Sequence, residues 1–223
     1  MKSSRALVVS GAILAALLGL NGTAAAHLDE PTRYSGRATV IDAKATALTV
    51  KARAIFGDTG ELDPNGQTKE TTAVAIDNPA PLFASSRTID AITSGANNTA
   101  ASRASVEKLQ MKIGTLTLAA DVIEANAYAT CDRNSMTVAT SGNSTITNLT
   151  LNGKRYAVTG KPNQKITLIG LATVIINEQS NPDVNTMSVN AIHVIVPGSP
   201  GVASADVVIS HAQAGILSCP CNL

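Results

Sequence analysis

"STITNLTLNGKRYAVTG", residues 144–160, decides how this chain folds. Branched and polar side chains alternate on either side of Asn152-Gly153, and that dipeptide closes a two-residue hairpin because both residues tolerate positive φ. A period of two means a strand with one face buried; a helix would show a period of 3.6. The same period runs outward from this hairpin in both directions. It appears in "RATVIDAKATALTVKARAIF" (37–56), "QKITLIG" (164–170), "ATVIINEQ" (172–179), "TMSVNAIHVIV" (186–196) and "ADVVISHAQAGI" (205–216). Thr, Val and Ile fill these runs, as pleated, half-buried surfaces favour. Pro162-Asn163, Asn181-Pro182 and "PGSPG" (197–201) separate them. Strand signals at roughly 8 to 12 residue intervals predict an antiparallel β-sandwich, Greek-key or jelly-roll-like. "ASVEKLQMKI" (104–113) reads as strand rather than short helix, because alternation continues through "GTLTLAADVIEANAYATC" (114–131). Residues 57–70 and 94–104 read as loops, being rich in Gly, Asn, Ser and Thr.

The first 26 residues read as a signal peptide. Lys2 and Arg5 precede the apolar run "ALVVSGAILAALLGL", and Ala24-Ala25-Ala26 offers an A-x-A cleavage site before His27. The run is short of the about 20 residues that a membrane span needs. The expected mature chain, 27–223, is one all-β domain, secreted or at the cell surface, with no integral span. Seventeen basic residues against 16 acidic ones, without runs of one sign, argue against a nucleic-acid partner. The chain has no Trp, two Phe and three Tyr, too few rings for the stacking platform that sugar-binding modules and single-strand nucleic-acid binders usually need, so Val, Ile, Leu and Ala must make the core.

Several motifs invite chemistry. Asp58-Thr59-Gly60 resembles the turn of an aspartic protease, but that chemistry needs two carboxylates sharing a proton and only one such turn occurs, followed by the polar Glu61, Asp63 and Pro64. A simple turn is the expectation. The carboxylates available for glycoside hydrolysis are Asp121, Glu124, Glu178 and Asp206, and no spacing selects a pair. Glu178 is notable for ending an apolar strand. No G-x-S-x-G, phosphate loop or calcium loop appears. If cleavage exposes His27, its amine and imidazole could chelate copper in a histidine brace completed by His193 or His211, since such nitrogens suit Cu(II). Otherwise no metal or cofactor is expected. Of the three cysteines, Cys131 and Cys219 each end a long strand of small residues, "ADVIEANAYATC" (120–131) and "ADVVISHAQAGILSC" (205–219), a faint echo of one another. A bridge between them would close about 88 residues and contribute roughly 4 to 5 kcal/mol in the chain-entropy model; Cys131 with Cys221 is the other pairing.

Residues 144–179, then "MSVNAIHVIVPG" (187–198), then "ADVVISHAQAGILSC" (205–219), resemble the exported bacterial proteins of the choice-of-anchor P family, through "NG", "KPNQ", "VIINEQ", "VNAIHV" and the late Cys. "FGDTGEL" (56–62) and Cys131 after "NAYAT" are similar to that family too, whereas 67–104 is not. The resemblance implies an exported, cell-surface all-β domain and assigns no catalytic residue. No sorting signal is read after Cys221, so a secreted form or attachment through a partner is expected. The functional expectation is a non-enzymatic extracellular or surface protein with a structural, adhesive or envelope-associated role, possible self-association included, the alternative being a copper protein built on His27.

Overall fold

In a computed structural model of the chain, residues 30–47, 50–73, 76–78, 83–198 and 204–220 are described. They form two antiparallel sheets packed face to face, a β-sandwich. The described residues begin with two paired strands of the first sheet, β1 (Arg33–Ala47) and β2 (Val50–Asp58). The chain then crosses to the second sheet for β3 (Thr68–Ala73), β4 (Ile76–Asn78), β5 (Phe83–Ser86), β6 (Thr88–Ala96), β7 (Thr99–Ile113), β8 (Leu116–Asp132), β9 (Thr137–Thr147), β10 (Thr150–Leu151) and β11 (Lys154–Arg155). It returns for β12 (Gln164–Leu168), β13 (Ala172–Ser180), β14 (Thr186–Val196) and β15 (Ser204–Ser218). The first sheet runs β12-β13-β14-β15-β1-β2, so β15 closes against the N-terminal strand. In the second, β7 and β8 are long enough to hold two strands end to end on an outer edge: β5 and β6 beside β7, β9 and β10 beside β8.

The hairpin at 152–153 forms as expected, with φ of 49° at Asn152 and 74° at Gly153. The expected loop at 94–104 does not. These residues finish β6 and begin β7, and only Asn97 and Asn98, both at positive φ, make the turn. Small residues that read as loop formers are here because the ring of Tyr34 covers them: a Cβ on Gly95 would lie 2.6 Å from Tyr34 Cγ. The Asn98 N–H donates to the Tyr34 hydroxyl at 3.1 Å, tying the turn to β1. The loop expected at 57–70 is shorter than that range, since β2 runs to Asp58 and β3 begins at Thr68.

One irregularity organises the sandwich. Inward and outward residues should alternate along a strand, and they do until a transverse row across each sheet, where the phase slips. In the first sheet two consecutive residues turn inward: Val40 and Ile41 on β1, Ile176 and Asn177 on β13, Ala191 and Ile192 on β14, Ile209 and Ser210 on β15. Pairing registers are the same on both sides of this row, so no residue is inserted; neighbouring strands slip together. The backbone achieves this with left-handed residues on alternate strands, Asn177 (φ 51°), Ser210 (φ 55°) and Gly57 (φ 61°). In the second sheet the slip has the opposite sense. Buried residues jump from Val106 to Leu109 on β7 and from Ala120 to Ile123 on β8, with Lys108 at φ 51°. The doubled inward rows of one sheet thus face the gap in the other, and Ser210 Oγ donates across it to the Ile123 carbonyl at 3.0 Å.

The row also divides the core by size. Towards Cys131 the facing residues are small, Ala125, Ala127 and Ala129 on β8 against Ala212 and Ala214 on β15, all fully buried. The sheets come close enough there for Ser102 Oγ of β7 to donate to the Gln213 carbonyl of β15 at 2.6 Å. On the other side Leu109, Leu116, Leu118, Leu151, Ile192 and Val207 fill a wider space. A core of this kind buries aliphatic area without large rings, which accounts for the scarcity of aromatics.

Candidate functional site

The phase slip leaves a mark on the outer face of the six-stranded sheet. Where two neighbours turn inward, the outward side chains are three residues apart instead of two: Thr39 then Asp42, Val208 then His211, Asn190 then His193. One row of side chains is missing across the sheet. The result is a groove of about 270 Å³ lined by Arg37, Thr39, Asp42, Arg53, Ile55, Glu61, Asn190, Val208, His211 and Gln213.

Its charges are held by geometry. Arg37 grips Asp58 through two hydrogen bonds, Nε to Oδ1 at 2.8 Å and Nη2 to Oδ2 at 2.6 Å, and reaches Glu61 at 3.4 Å. Arg53 grips Asp42 the same way, at 2.9 and 2.8 Å. Such bidentate pairs are the strong form of charged hydrogen bond. The Arg37 hydrogen bond, with further bonds from the Gly60 N–H and the Thr39 hydroxyl, holds the Asp58 carboxyl below the usual carboxylate range. The Arg53 hydrogen bond, aided by Lys44, does the same for Asp42. Both carboxylates are therefore ionised at neutral pH.

Beside the groove a polar chain runs along β13, β14 and β15. Glu178 Oε2 accepts from Asn190 Nδ2 at 2.7 Å and from His193 Nδ1 at 2.9 Å. With its amide nitrogen committed to Glu178, Asn190 presents its oxygen to His211 Nδ1 at 2.7 Å. That oxygen can only accept, so Nδ1 of His211 carries the proton and Nε2 the lone pair. Burial first, and the nearby Arg37 charge second, push the His211 pKa below its ordinary value, so the ring is neutral at neutral pH. Among the described residues, His211 Nε2 and the side-chain amide of Gln213 have no hydrogen-bond partner. His193 Nε2 is buried and lies 3.3 Å from Asp206 Oδ1, without the alignment of a hydrogen bond.

The residues singled out in the sequence scatter over this framework. Asp58 ends β2 as a clamp on the 59–62 turn. Glu178 and Asp206 flank His193, whereas Asp121 and Glu124 lie on β8 in the other sheet. There Asp121 pairs with Lys108 at 2.7 Å and Glu124 accepts from Asn126 at 2.8 Å. His193 and His211 share one face, each with Nδ1 already hydrogen-bonded; His27 lies outside the described residues, as does Cys221. Among the described residues no group of three or more His, Cys, Asp or Glu is arranged to hold a metal. Cys131 is bonded to Cys219, 88 residues on, joining the end of β8 to the residue after β15. The two strands with echoing sequences are thus the facing central strands of the two sheets. Arg37, Arg53 and Gln213 carried no motif; their only sequence trace is the broken alternation at Val40-Ile41 and Ile209-Ser210.

No family model matches the chain, and no curated protein matches it. Two crystal structures of Ail, the attachment invasion locus protein of Yersinia pestis, align with 84% of this chain and 99% of theirs, at 8% and 7% identity. One of them is a complex with the heparin analogue sucrose octasulfate. With TM-scores of 0.17 and 0.16, this likeness carries no weight for fold or function.

Proposed function

We propose that the chain is an exported, non-enzymatic β-domain that works outside the cytoplasm, at the cell surface or in the extracellular medium, in a structural, adhesive or envelope-associated role. The observation that carries this reading is the Cys131–Cys219 bond between the central strands of the two sheets. Disulfides of this kind form and persist in oxidising compartments and are rare where thiols are kept reduced. The charged n-region, apolar stretch and A-x-A site before His27 support the same reading, as does the resemblance of 144–219 to choice-of-anchor P proteins. The outer faces of the sheets are clothed in Thr, Ser, Asn and paired charges, which suits contact with a hydrated surface.

The test is fractionation of the producing cells combined with alkylation of free thiols before lysis. The proposal expects the mature chain outside the cytoplasmic membrane with Cys131 and Cys219 unreactive. Finding the full-length chain in the cytoplasm with all three thiols free would overturn it.

A further inference from the structure

We propose that the transverse groove on the six-stranded sheet is a binding site for a neutral carbohydrate. The argument begins with charge. Arg37 and Arg53 would attract an anion, but each guanidinium is already held on a carboxylate, and in the lining the two cations are balanced by Asp42 and Glu61, with Asp58 and Lys44 a second balanced pair beside it. A free anion at the remaining guanidinium N–H groups would meet the repulsion of the tethered carboxylates, and a cation would meet the guanidinium groups. A neutral ligand meets neither objection.

The uncommitted hydrogen-bonding capacity then selects among neutral ligands. Arg37 and Arg53 keep N–H donors beyond those bound to Asp58 and Asp42, and Asp42 and Glu61 keep acceptor lone pairs. His211 Nε2 offers one acceptor, and the Gln213 amide offers donors and an acceptor with no partner among the described residues. Donors and acceptors thus alternate around one small space. Hydroxyl groups are the natural complement, because each can donate and accept at once. A vicinal diol can accept from a guanidinium and donate to the adjacent carboxylate. Val208 and Ile55 supply aliphatic surface for the C–H face of a ring. At about 270 Å³ the space lies just below the about 300–1,000 Å³ usual for larger ligands, which fits one sugar ring. The missing row runs across the strands, so neighbouring units of a linear glycan would extend over β15 and β14.

This deepens the extracellular reading and rests on it only for where a glycan would be met. Binding by purified protein does not depend on cell location, so either proposal can fail alone. The experiment is nuclear magnetic resonance titration of ¹⁵N-labelled protein with glucose, galactose, mannose and N-acetylglucosamine in turn, and with sodium phosphate and sodium acetate. The expected result is saturable shifts at the Gln213 side-chain amide, the His211 ring and the backbone of β1 and β15 with at least one neutral sugar, at a dissociation constant of order 1 mM. The Gln213 side chain makes no hydrogen bond among the described residues, and the bond from Ser102 is to its backbone carbonyl, so Gln213→Ala should keep the fold while weakening that sugar by about tenfold. The proposal is overturned if no neutral sugar shifts these resonances, if phosphate or acetate shifts them more strongly, or if Gln213→Ala binds as well as the parent.

Discussion

Reducing the Cys131–Cys219 bond is the sharpest test of how the two sheets are held together. The bond closes 88 residues between the ends of β8 and β15. In the chain-entropy model, freeing a loop of that length returns about 15 cal/mol/K to the unfolded chain, or about 4.6 kcal/mol at 25 °C. Domains are typically stable by only about 5–15 kcal/mol, so a large share of the total is at stake. With a urea m-value of about 2 kcal/mol/M, the unfolding midpoint should fall by about 2 M. The assay is urea unfolding followed by far-ultraviolet circular dichroism, since the chain has no Trp. It compares oxidised and reduced Cys221→Ser protein, a background in which the third thiol cannot exchange. An unchanged midpoint, with the bond shown intact in the oxidised sample by mass, would refute the reasoning. So would a peptide map of the parent chain linking Cys131 to Cys221.

Three further outcomes follow from the same framework. Ser210 combines a left-handed backbone with a buried hydrogen bond to the Ile123 carbonyl; Ser210→Val should cost about 2–4 kcal/mol by losing both fits, and Ser210→Gly clearly less, as read by urea midpoints. Gly95→Ala drives a Cβ to 2.6 Å from the ring of Tyr34, which is pinned through its hydroxyl; a loss of about 1–3 kcal/mol is expected, partly restored by Tyr34→Leu, and a neutral Gly95→Ala would contradict the packing described. Acid should destabilise the protein in two steps. A group whose folded pKa is lowered binds its proton later than in the unfolded chain, so the unfolded state gains protons first and stability falls as pH falls. For His211 this loss starts near about pH 6.5, and for Asp58 and Asp42 near about pH 3.9, continuing through their lowered folded values. His211→Gln should remove the first step and Asp58→Asn reduce the second; unchanged pH profiles of stability in these variants would show that other groups govern them.

The strands were legible because period-two alternation is a local property. The turn at Asn152-Gly153 was legible because its backbone demands those residues. The paired strands across 94–104 were not, since Ser, Gly, Ala and Asn favour turns locally and are drawn into β6 and β7 by packing against Tyr34 from a distant strand. The groove was hidden for a related reason. It follows from a phase slip carried by Asn177, Ser210 and Gly57, of which only Gly57 is a glycine, and from neighbouring strands slipping in step. Consecutive apolar residues such as Val40-Ile41 and Ala191-Ile192 are its trace, but a single sequence does not distinguish them from ordinary variation within a strand. The pairing Arg37–Asp58 likewise joins residues that only the β1–β2 register brings together. The disulfide partner was narrowed to two candidates by strand ends and decided by three-dimensional proximity.

The phase slip is the claim on which core, groove and ligand argument all stand, and thiol accessibility along β15 tests it most directly. Single cysteines placed from Asp206 to Gln213 in the Cys221→Ser background, with the native disulfide intact, are treated with a water-soluble maleimide under native conditions. The account predicts labelling at 206, 208, 211 and 213 and protection at 207, 209, 210 and 212. Unbroken alternation, with 210 and 212 labelled and 211 and 213 protected, would contradict it.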